Sequence, residues 1–359
     1  MKNIIFAGGT GKRFWPASRK NSPKQFQNIV GSKPLIKLKY DYLRLGFKPE
    51  DIFVSTGIQY KKEVEEILKE LPQSHFIYEP EMRDTGPAVA LAVAYVKKHF
   101  PNEVVSTQWA DHYIKHPKIF IESLKEAEKI VKSENKTIII GVKPTFPSPH
   151  RGHIKFGKKI KNLNGSDKNV LCEFIRFVEK PALEVARQYI RAGDYSWNTG
   201  YFISTPDLIL DKYKKFARTT YGIIKKIYDS DFSAKSLAEF GKANKISFDY
   251  AFAENLNPSE AYTINSGMGW YDVGEWISLK EALQHSDSDV VTHGEVIDSN
   301  SENCLVYNYE PKKLVATIQL KDMIVVNTRD VIAVFHKDDN PKLKEFLKKL
   351  EKKGKSQYL

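Results

Sequence analysis

From the N-terminus to Thr145 the apolar positions alternate between two periods. NIIFA, DIFVST, HFIYEP, EVVSTQWADH and TIIIGV are short apolar runs that predict strands. Between them, PLIKLKYDYLRLG, YKKEVEEILKEL, GPAVALAVAYVKKHF and PKIFIESLKEAEKIVKSEN carry apolar residues at helical spacing and predict helices. Gly46 and Pro72 supply stops for the first two helices, and Pro87 lies near the start of the third. Repeated strand–helix units of this kind predict a mainly parallel sheet covered on both faces. Ligands of such sheets sit beyond the carboxyl ends of the strands. Two features with evident chemistry fall there: the glycines after the first strand, and Asp111 at the end of EVVSTQWADH.

Residues 143 to 275 are less regular. They hold a Pro- and Gly-bearing loop (PTFPSPHRGHIKFG), a strand (CEFIRFVEKP), a helix (ALEVARQYIRAG) and a further strand (NTGYFIS). After about Ser286 the texture changes to short β-rich pieces with Asn and Asp turns. The pattern therefore predicts two domains, 1–285 and 286–359. The smaller is closed by KLKEFLKKLEKKGK, an amphipathic helix with a lysine-rich solvated face. No strong internal repeat is evident.

Composition narrows the function classes. The formal net charge of +12 invites an anionic partner, but 46 lysines against 10 arginines spread along the chain argue against a nucleic-acid reading head. The longest unbroken apolar run, Ala88–Val96, is too short to span a bilayer, and no secretory signal is expected. Cys172 and Cys304 fit no metal spacing and are expected to be core thiols, which points to a cytoplasmic setting.

The stretch IIFAGGTGKRFWPASRKNSPKQF carries the clearest chemistry. It is not a P-loop, because Gly11-Lys12 is followed by Arg13, nor a dinucleotide turn, because Phe14 stands where the third glycine belongs. Gly8, Gly9 and Gly11 can turn the backbone tightly and present N–H groups to phosphate oxygens. Arg13 and Lys24 add full charges, and Pro16 and Pro23 restrict the excursion between them.

This stretch resembles the signature of the sugar-nucleotide pyrophosphorylases, a family of nucleotidyltransferases. Its Trp15-Pro16 and Pro23-Lys24-Gln25-Phe26 details are most similar to the mannose-1-phosphate guanylyltransferase branch. Matching segments follow in order: Glu79-Pro80 with Arg83-Asp84-Thr85-Gly86-Pro87-Ala88; Asp111-His112; Gly141-Val142-Lys143-Pro144-Thr145; Phe177-Val178-Glu179-Lys180-Pro181; Trp197-Asn198-Thr199-Gly200; Ser247-Phe248-Asp249-Tyr250-Ala251; and Trp270 to Trp276. The resemblance implies an α/β, Rossmann-like (GT-A-like) mixed sheet flanked by helices, followed by a small left-handed β-helix-like domain. No room is expected for the isomerase module fused to some members.

It also implies an activity: transfer of GMP from GTP to mannose 1-phosphate, by in-line attack on the α-phosphate with loss of pyrophosphate. Such chemistry depends on positioning and neutralising two polyanions. Arg13 and Lys24 are then the catalytic cations, and Gly8, Gly9, Gly11, Arg83 and Thr85 join them in nucleotide binding. Gly152, Glu179, Lys180, Asn198 and Asp249 fall to the sugar phosphate. Asp111 and Asp272 are candidate ligands for Mg²⁺ or another divalent cation. A homodimer through the β-rich tail is implied by analogy alone.

Read without the resemblance, Asp111 equally suits a cap on the helix near Pro117, Asn198 and Asp272 suit turns, and Asp249 suits a cap on its own helix. The chain also departs from the family pattern. Trp109-Ala110 replaces Pro-Ser before the Asp-His, Arg151-Gly152-His153 replaces Tyr-Gly-Tyr, Gly86 stands where Ala is common, and Phe248 where Ile is common. These departures keep open a heptose- or glucose-type acceptor. A catalytically silent nucleotide-sugar-binding regulatory subunit is the rival from another class.

Overall fold

The computed structural model describes the chain from Met1 to Leu359 apart from Thr10, Gly11, Lys20, Asn21 and the side chain of Lys12. Gly11, one of the predicted phosphate-binding glycines, thus lies outside the described residues. In chain order the first half comprises β1 (Lys2–Phe6), α1 (Leu35–Arg44), β2 (Ile52–Gly57), α2 (Lys61–Ile67), β3 (Phe76–Glu79), α3 (Thr85–His99), β4 (Val105–Trp109), β5 (His112–Ile114), α4 (Pro117–Glu134) and β6 (Thr137–Val142). There follow β7 (His153–Leu163), β8 (Ser166–Val178), α5 (Leu183–Ala192), β9 (Tyr195–Ser204), α6 (Pro206–Phe216), α7 (Arg218–Asp229), α8 (Ala234–Leu237), α9 (Phe248–Ala251), β10 (Ala261–Ser266), β11 (Trp270–Asp272) and α10 (Trp276–Leu283).

Among the described residues, nine strands form one sheet in the order β3-β2-β1-β4-β9-β6-β10-β8-β7. Parallel pairing joins β2 to β3, β1 to β2 and β4, and β6 to β10. β9 enters between β4 and β6 antiparallel to both, and β8 and β7 continue antiparallel beyond β10. The sheet is therefore mixed rather than mainly parallel. Apolar runs report burial and not direction, and β9 reverses the sheet at a point no local pattern marks. EVVSTQWADH is not one strand: β4 stops at Trp109, a turn holds Ala110 and Asp111, and β5 starts at His112.

By their contacts the residues gather into two compact units: Met1–Gly8, Lys39–Ala110 and Ile114–Trp270 in one, and Gly9–Leu38, Asp111–Tyr113 and Tyr271–Leu359 in the other. The core of the first unit centres on α3, buried nearly all round, together with Phe53, Phe174, Phe202, Ile209, Tyr213 and Phe248. The Tyr213 hydroxyl donates to Gly86 O at 2.7 Å, and Gly86 N–H donates to Ile246 O at 2.9 Å. A β-carbon on Gly86 would stand 2.5 Å from that Ile246 carbonyl, which is the physical reason for glycine here.

In the second unit β12 (Val291–His293), β14 (Leu305–Asn308) and β16 (Met323–Asn327) pair in parallel, as do β13 (Val296–Ser299) and β15 (Val315–Ile318). Successive coils stack nineteen residues apart, with Asn327 donating to Asn308 at 2.8 Å and Thr317 to Asp298 at 2.6 Å. The result is a β-helix-like stack, finished by β17 (Ile332–His336), antiparallel to β16, and by α11 (Leu343–Lys352). Its core also takes in Phe14, Trp15, Ile29, Val273 and Trp276. Both cysteines are buried and neither forms a disulfide, and no helix among the described residues is long and apolar enough to cross a membrane.

The Trp109 departure has a visible seat. Its indole Nε1–H donates to Gly200 O at 2.8 Å, and a β-carbon on Gly200, whose φ is +74°, would meet that nitrogen at 2.2 Å. Gly200→Ala is expected to lose roughly 2–4 kcal/mol through overpacking and a left-handed backbone. Urea unfolding measures this, and an unchanged midpoint would show that the indole retracts without cost.

Candidate active site

Most of the predicted site residues fall into two clusters, one in each unit. In the second unit Lys24 opens a short 3₁₀ turn after Pro23 and is buried, at 7% exposure. Its Nζ lies 2.6 Å from Asp111 Oδ2 and donates to Val273 O at 3.1 Å, with the Phe14 ring 5.9 Å away. Burial alone would push the Asp111 carboxyl up, but the Lys24 ammonium, helped by His112, holds it well below the usual carboxylate range. Asp111 caps no helix, because His116 occupies that position before α4.

β5 pairs with β11, and Val273 N–H donates to Asp111 O at 3.1 Å, so the turn at Asp111 is tied to the chain just beyond Asp272. Asp272 also closes a tight turn, its carbonyl accepting from Gly274 N–H at 2.9 Å. Arg13 is exposed and lies across Gly274, where a β-carbon would stand 3.3 Å from Nη2. Gly9 has φ +99°, and its carbonyl accepts from the Gln25 amide at 3.3 Å. Gly8 is exposed and belongs to the first unit, at the end of β1.

The first unit gathers Gly152, Glu179, Lys180, Asn198 and Asp249. Asn198 Nδ2 donates to Asp249 Oδ1 at 3.1 Å, and Asn198 Oδ1 accepts from Gly200 N–H at 2.9 Å. Asn198 N–H donates to Gly152 O at 2.8 Å, and a β-carbon on Gly152 would stand 2.7 Å from Glu179 Oε2. Lys180, at φ +46°, donates from Nζ to Glu179 Oε1 at 2.5 Å. Burial works against the Lys180 ammonium, but Glu179 outweighs it and raises the lysine overall. Ser247 caps α9, leaving Asp249 in its first turn. Burial and then the Glu179 charge push the Asp249 carboxyl up to about 7, against the opposing pull of Lys180. Asn198 lies within β9, not in a turn.

Arg83 and Thr85 flank the start of α3. Arg83 Nη2 lies 2.9 Å from Glu81 Oε2, while its Nε is buried without a hydrogen-bond partner. Thr85 Oγ1 accepts from Phe248 N–H at 2.8 Å, which ties this segment to the helix bearing Asp249. The motif that holds them includes Glu79, to which pattern reading assigns no role. Glu79 is buried at the carboxyl end of β3, and burial pushes its carboxyl up to about 7 against a 3.3 Å hydrogen bond from Ser55. Its signal was available, because an acid ending an apolar strand is the same cue that marks Asp111.

The Arg151 guanidinium stacks 3.9 Å from the Trp197 ring, with Phe146 at 5.0 Å and Trp270 at 5.3 Å. Its charge is held on aromatic faces. His153 is buried, Nδ1 sharing a hydrogen bond with Arg151 O at 3.0 Å, and burial lowers its pKa and keeps it neutral.

Comparison with known proteins follows this geometry. Residues 2–288 match the nucleotidyl transferase family model, and residues 294–350 match a mannose-phosphate isomerase/GMP-like β-helix domain. A mannose-1-phosphate guanylyltransferase of Salmonella montevideo is 32% identical over 99% of this chain and 75% of its own length. The enzyme of that name from Escherichia coli K12 is 30% identical over 99% of the chain and 74% of its own length. A crystal structure from Thermus thermophilus, described as a mannose-1-phosphate geranyltransferase, superposes with a TM-score of 0.85 at 26% identity, covering 98% of this chain and 99% of that one. The chain belongs to the nucleotidyl transferase family of enzymes. Within that family its full-length likeness is to the mannose-1-phosphate guanylyltransferases.

Asp249 and Glu79 yield a pH prediction. Each has a folded pKa above its unfolded value, so the folded state binds the extra proton, and stability falls as pH rises from about 4 to about 7. Asp249→Asn and Glu79→Gln are each expected to flatten that decline. Denaturant titrations at several pH values test this, and slopes equal to wild type would place the protons elsewhere.

Proposed function

We propose that this protein transfers GMP from GTP to mannose 1-phosphate, forming GDP-mannose and pyrophosphate. The carrying observation is the second-unit cluster, in which two cations, Arg13 and Lys24, stand with two carboxylates, Asp111 and Asp272, on converging chain segments. That composition suits a triphosphate whose α-phosphorus is attacked while pyrophosphate departs. Arg13 and Lys24 hold phosphate oxygens and stabilise the charge that builds on them. Lys24 reaches the substrate by exchanging Asp111 for a phosphate oxygen, so its charge stays compensated throughout. Gly8 and Gly9 bring backbone close to the phosphates, and Arg83 and Thr85 border the base.

Asp111 and Asp272 would hold Mg²⁺ or a similar cation. Two hard oxygen donors tied by the β5–β11 pair fit it, and the described residues show no group of three or more His, Cys, Asp or Glu that would compete as an all-protein cage. When bound, the cation supplies charge neutralisation to the phosphates. On the acceptor side, Lys180 meets the sugar phosphate, and Glu179, Asn198 and Asp249 meet sugar hydroxyls beside Gly152. Asp249, its carboxyl pushed up to about 7 by burial and the Glu179 charge, donates a hydrogen bond there when protonated.

A different sugar 1-phosphate is the second reading, motivated by Arg151 and His153. The seat of Arg151 on Trp197 speaks against an added acceptor charge and leaves pocket shape as its basis. Pyrophosphate release is to be measured over GTP, ATP, UTP and dTTP with mannose, glucose and heptose 1-phosphates. The GTP–mannose pair is expected to turn over best, and failure with GTP while UTP or dTTP works would sink the guanylyl assignment. Saturable nucleotide binding with no release by any pair would favour a regulatory subunit. Lys24→Ala and Asp272→Ala are each expected to cut kcat by about 10²-fold or more. Near wild-type rates in either would remove that residue from the mechanism.

A further inference from the structure

The opening segment that carries Arg13 and Lys24 is held by residues more than three hundred positions further along the chain. Trp15 Nε1–H donates to Tyr358 O at 2.6 Å, and the Trp15 ring packs 5.6 Å from that of Phe346 on α11. Trp15 O accepts from Trp276 Nε1–H at 2.9 Å, while the Trp276 ring meets Phe14 edge-on at 4.9 Å. The Arg19 guanidinium spans two anchors: Nε donates to Pro16 O at 3.2 Å, and both Nη atoms meet Asp330, at 2.8 and 2.5 Å. The Tyr307 hydroxyl donates to Ile29 O at 3.1 Å, and Asn340 Nδ2 donates to Glu275 Oε2 at 2.7 Å, beside Gly274 and Trp276.

These contacts do more than cover a loop. Phe14 and Trp15 follow Arg13 directly, and Phe14 also lies under the Lys24 ammonium. Displacing Trp15 is therefore expected to shift Arg13 and the Phe14 ring that lies under Lys24. Trp15 also borders a hollow of about 310 Å³ lined in addition by Ile332, Val334, Leu343 and Phe346.

We infer that the segment from Asp330 to Tyr358 positions the phosphate-binding loop for nucleotidyl transfer, with Asp330, Phe346 and the Tyr358 carbonyl as positioning groups. The inference rests on the reading of Arg13 and Lys24 as triphosphate cations. It gives this tail a role in the reaction through the residues it holds in place.

The test uses the full chain with Phe346→Ala and Asp330→Asn, and with Phe346→Tyr and Asp330→Glu as conservative controls. Backbone hydrogen exchange is followed by mass spectrometry, alongside GTP and mannose 1-phosphate kinetics. The first two variants are expected to speed exchange at Phe14–Arg19 and Ser22–Gln27 while leaving β1, β2 and β3 at wild-type rates. Their kcat is expected to fall by about 10- to 100-fold, since misplacement of this order acts on the transition state. The sugar-phosphate KM is expected to stay within about twofold, and the conservative variants to recover most of the loss. Unchanged exchange in the opening segment, equal acceleration throughout the chain, or faster loop exchange with unchanged kcat would each overturn the inference. If the wild-type chain releases no pyrophosphate with any substrate pair, the functional reading fails, and the exchange arm still decides whether the tail anchors the loop.

Discussion

An ammonium group leaves water at great cost unless a counter-charge goes with it. Lys24 is buried and Asp111 is that counter-charge, and much of the second unit is arranged to let them meet. Three stretches far apart in sequence converge there: the opening segment, the turn after β4, and the end of β11. Val273 supplies the second acceptor for the lysine and, through its N–H, fastens the Asp111 backbone. Gly274 leaves room for Arg13. On the proposed reading, substrate does not meet a naked cation. It meets an ion pair whose lysine has only to change partners, so the dehydration of that lysine is completed during folding.

Three acids at or beside the predicted site residues are shifted in opposite directions. In the second unit, Asp111 is held ionised by its neighbours; in the first, Asp249 and Glu79 are pushed towards neutrality, chiefly by burial. Ionised oxygens suit hard cations, whereas a protonated carboxyl can donate to a hydroxyl or carbonyl. Asp249 needs that ability because Glu179 stands close by, already engaged with Lys180 and packed against Gly152. A second full negative charge there would be repelled.

Much of the first half of the fold is legible in sequence, because β1, β2, β3 and β6 are buried on both faces and read as apolar runs. The helices of the first half are legible from their periodicity. The hairpin of β7 and β8 is harder to read. The outer part of β7, with KKIKN, is largely exposed, so its alternation is drowned by lysines. α6 and α7 pack on α3, and the sequence pattern misses them although Thr205-Pro206-Asp207 marks the start of α6. The β-helix-like repeat spans only two matching stretches, VIDSNSENCLVYN and VATIQLKDMIVVN, and few of their positions coincide. At the candidate site, motif spacing singles out the residues that now form two clusters. It does not reveal that Arg151 stacks on Trp197, nor that Glu79 carries a displaced pKa, because both depend on neighbours supplied by other elements.

The chain order of the second unit has a consequence for how the protein comes into being. The hydrogen bond from Trp15 to Tyr358 closes a separation of 343 residues. On a ribosome the opening segment emerges early, and Phe346 and Tyr358 are made long after it. Strands β1 to β4 can pair while synthesis continues. The segment that carries Arg13 and Lys24 acquires its distant anchors only once Tyr358 has left the exit tunnel. A chain cut short before Asp330 would lack the Arg19–Asp330, Trp15–Phe346 and Trp15–Tyr358 anchors of that segment. The fold defers these anchors of the chemistry until the segment from Asp330 to Tyr358 has been made.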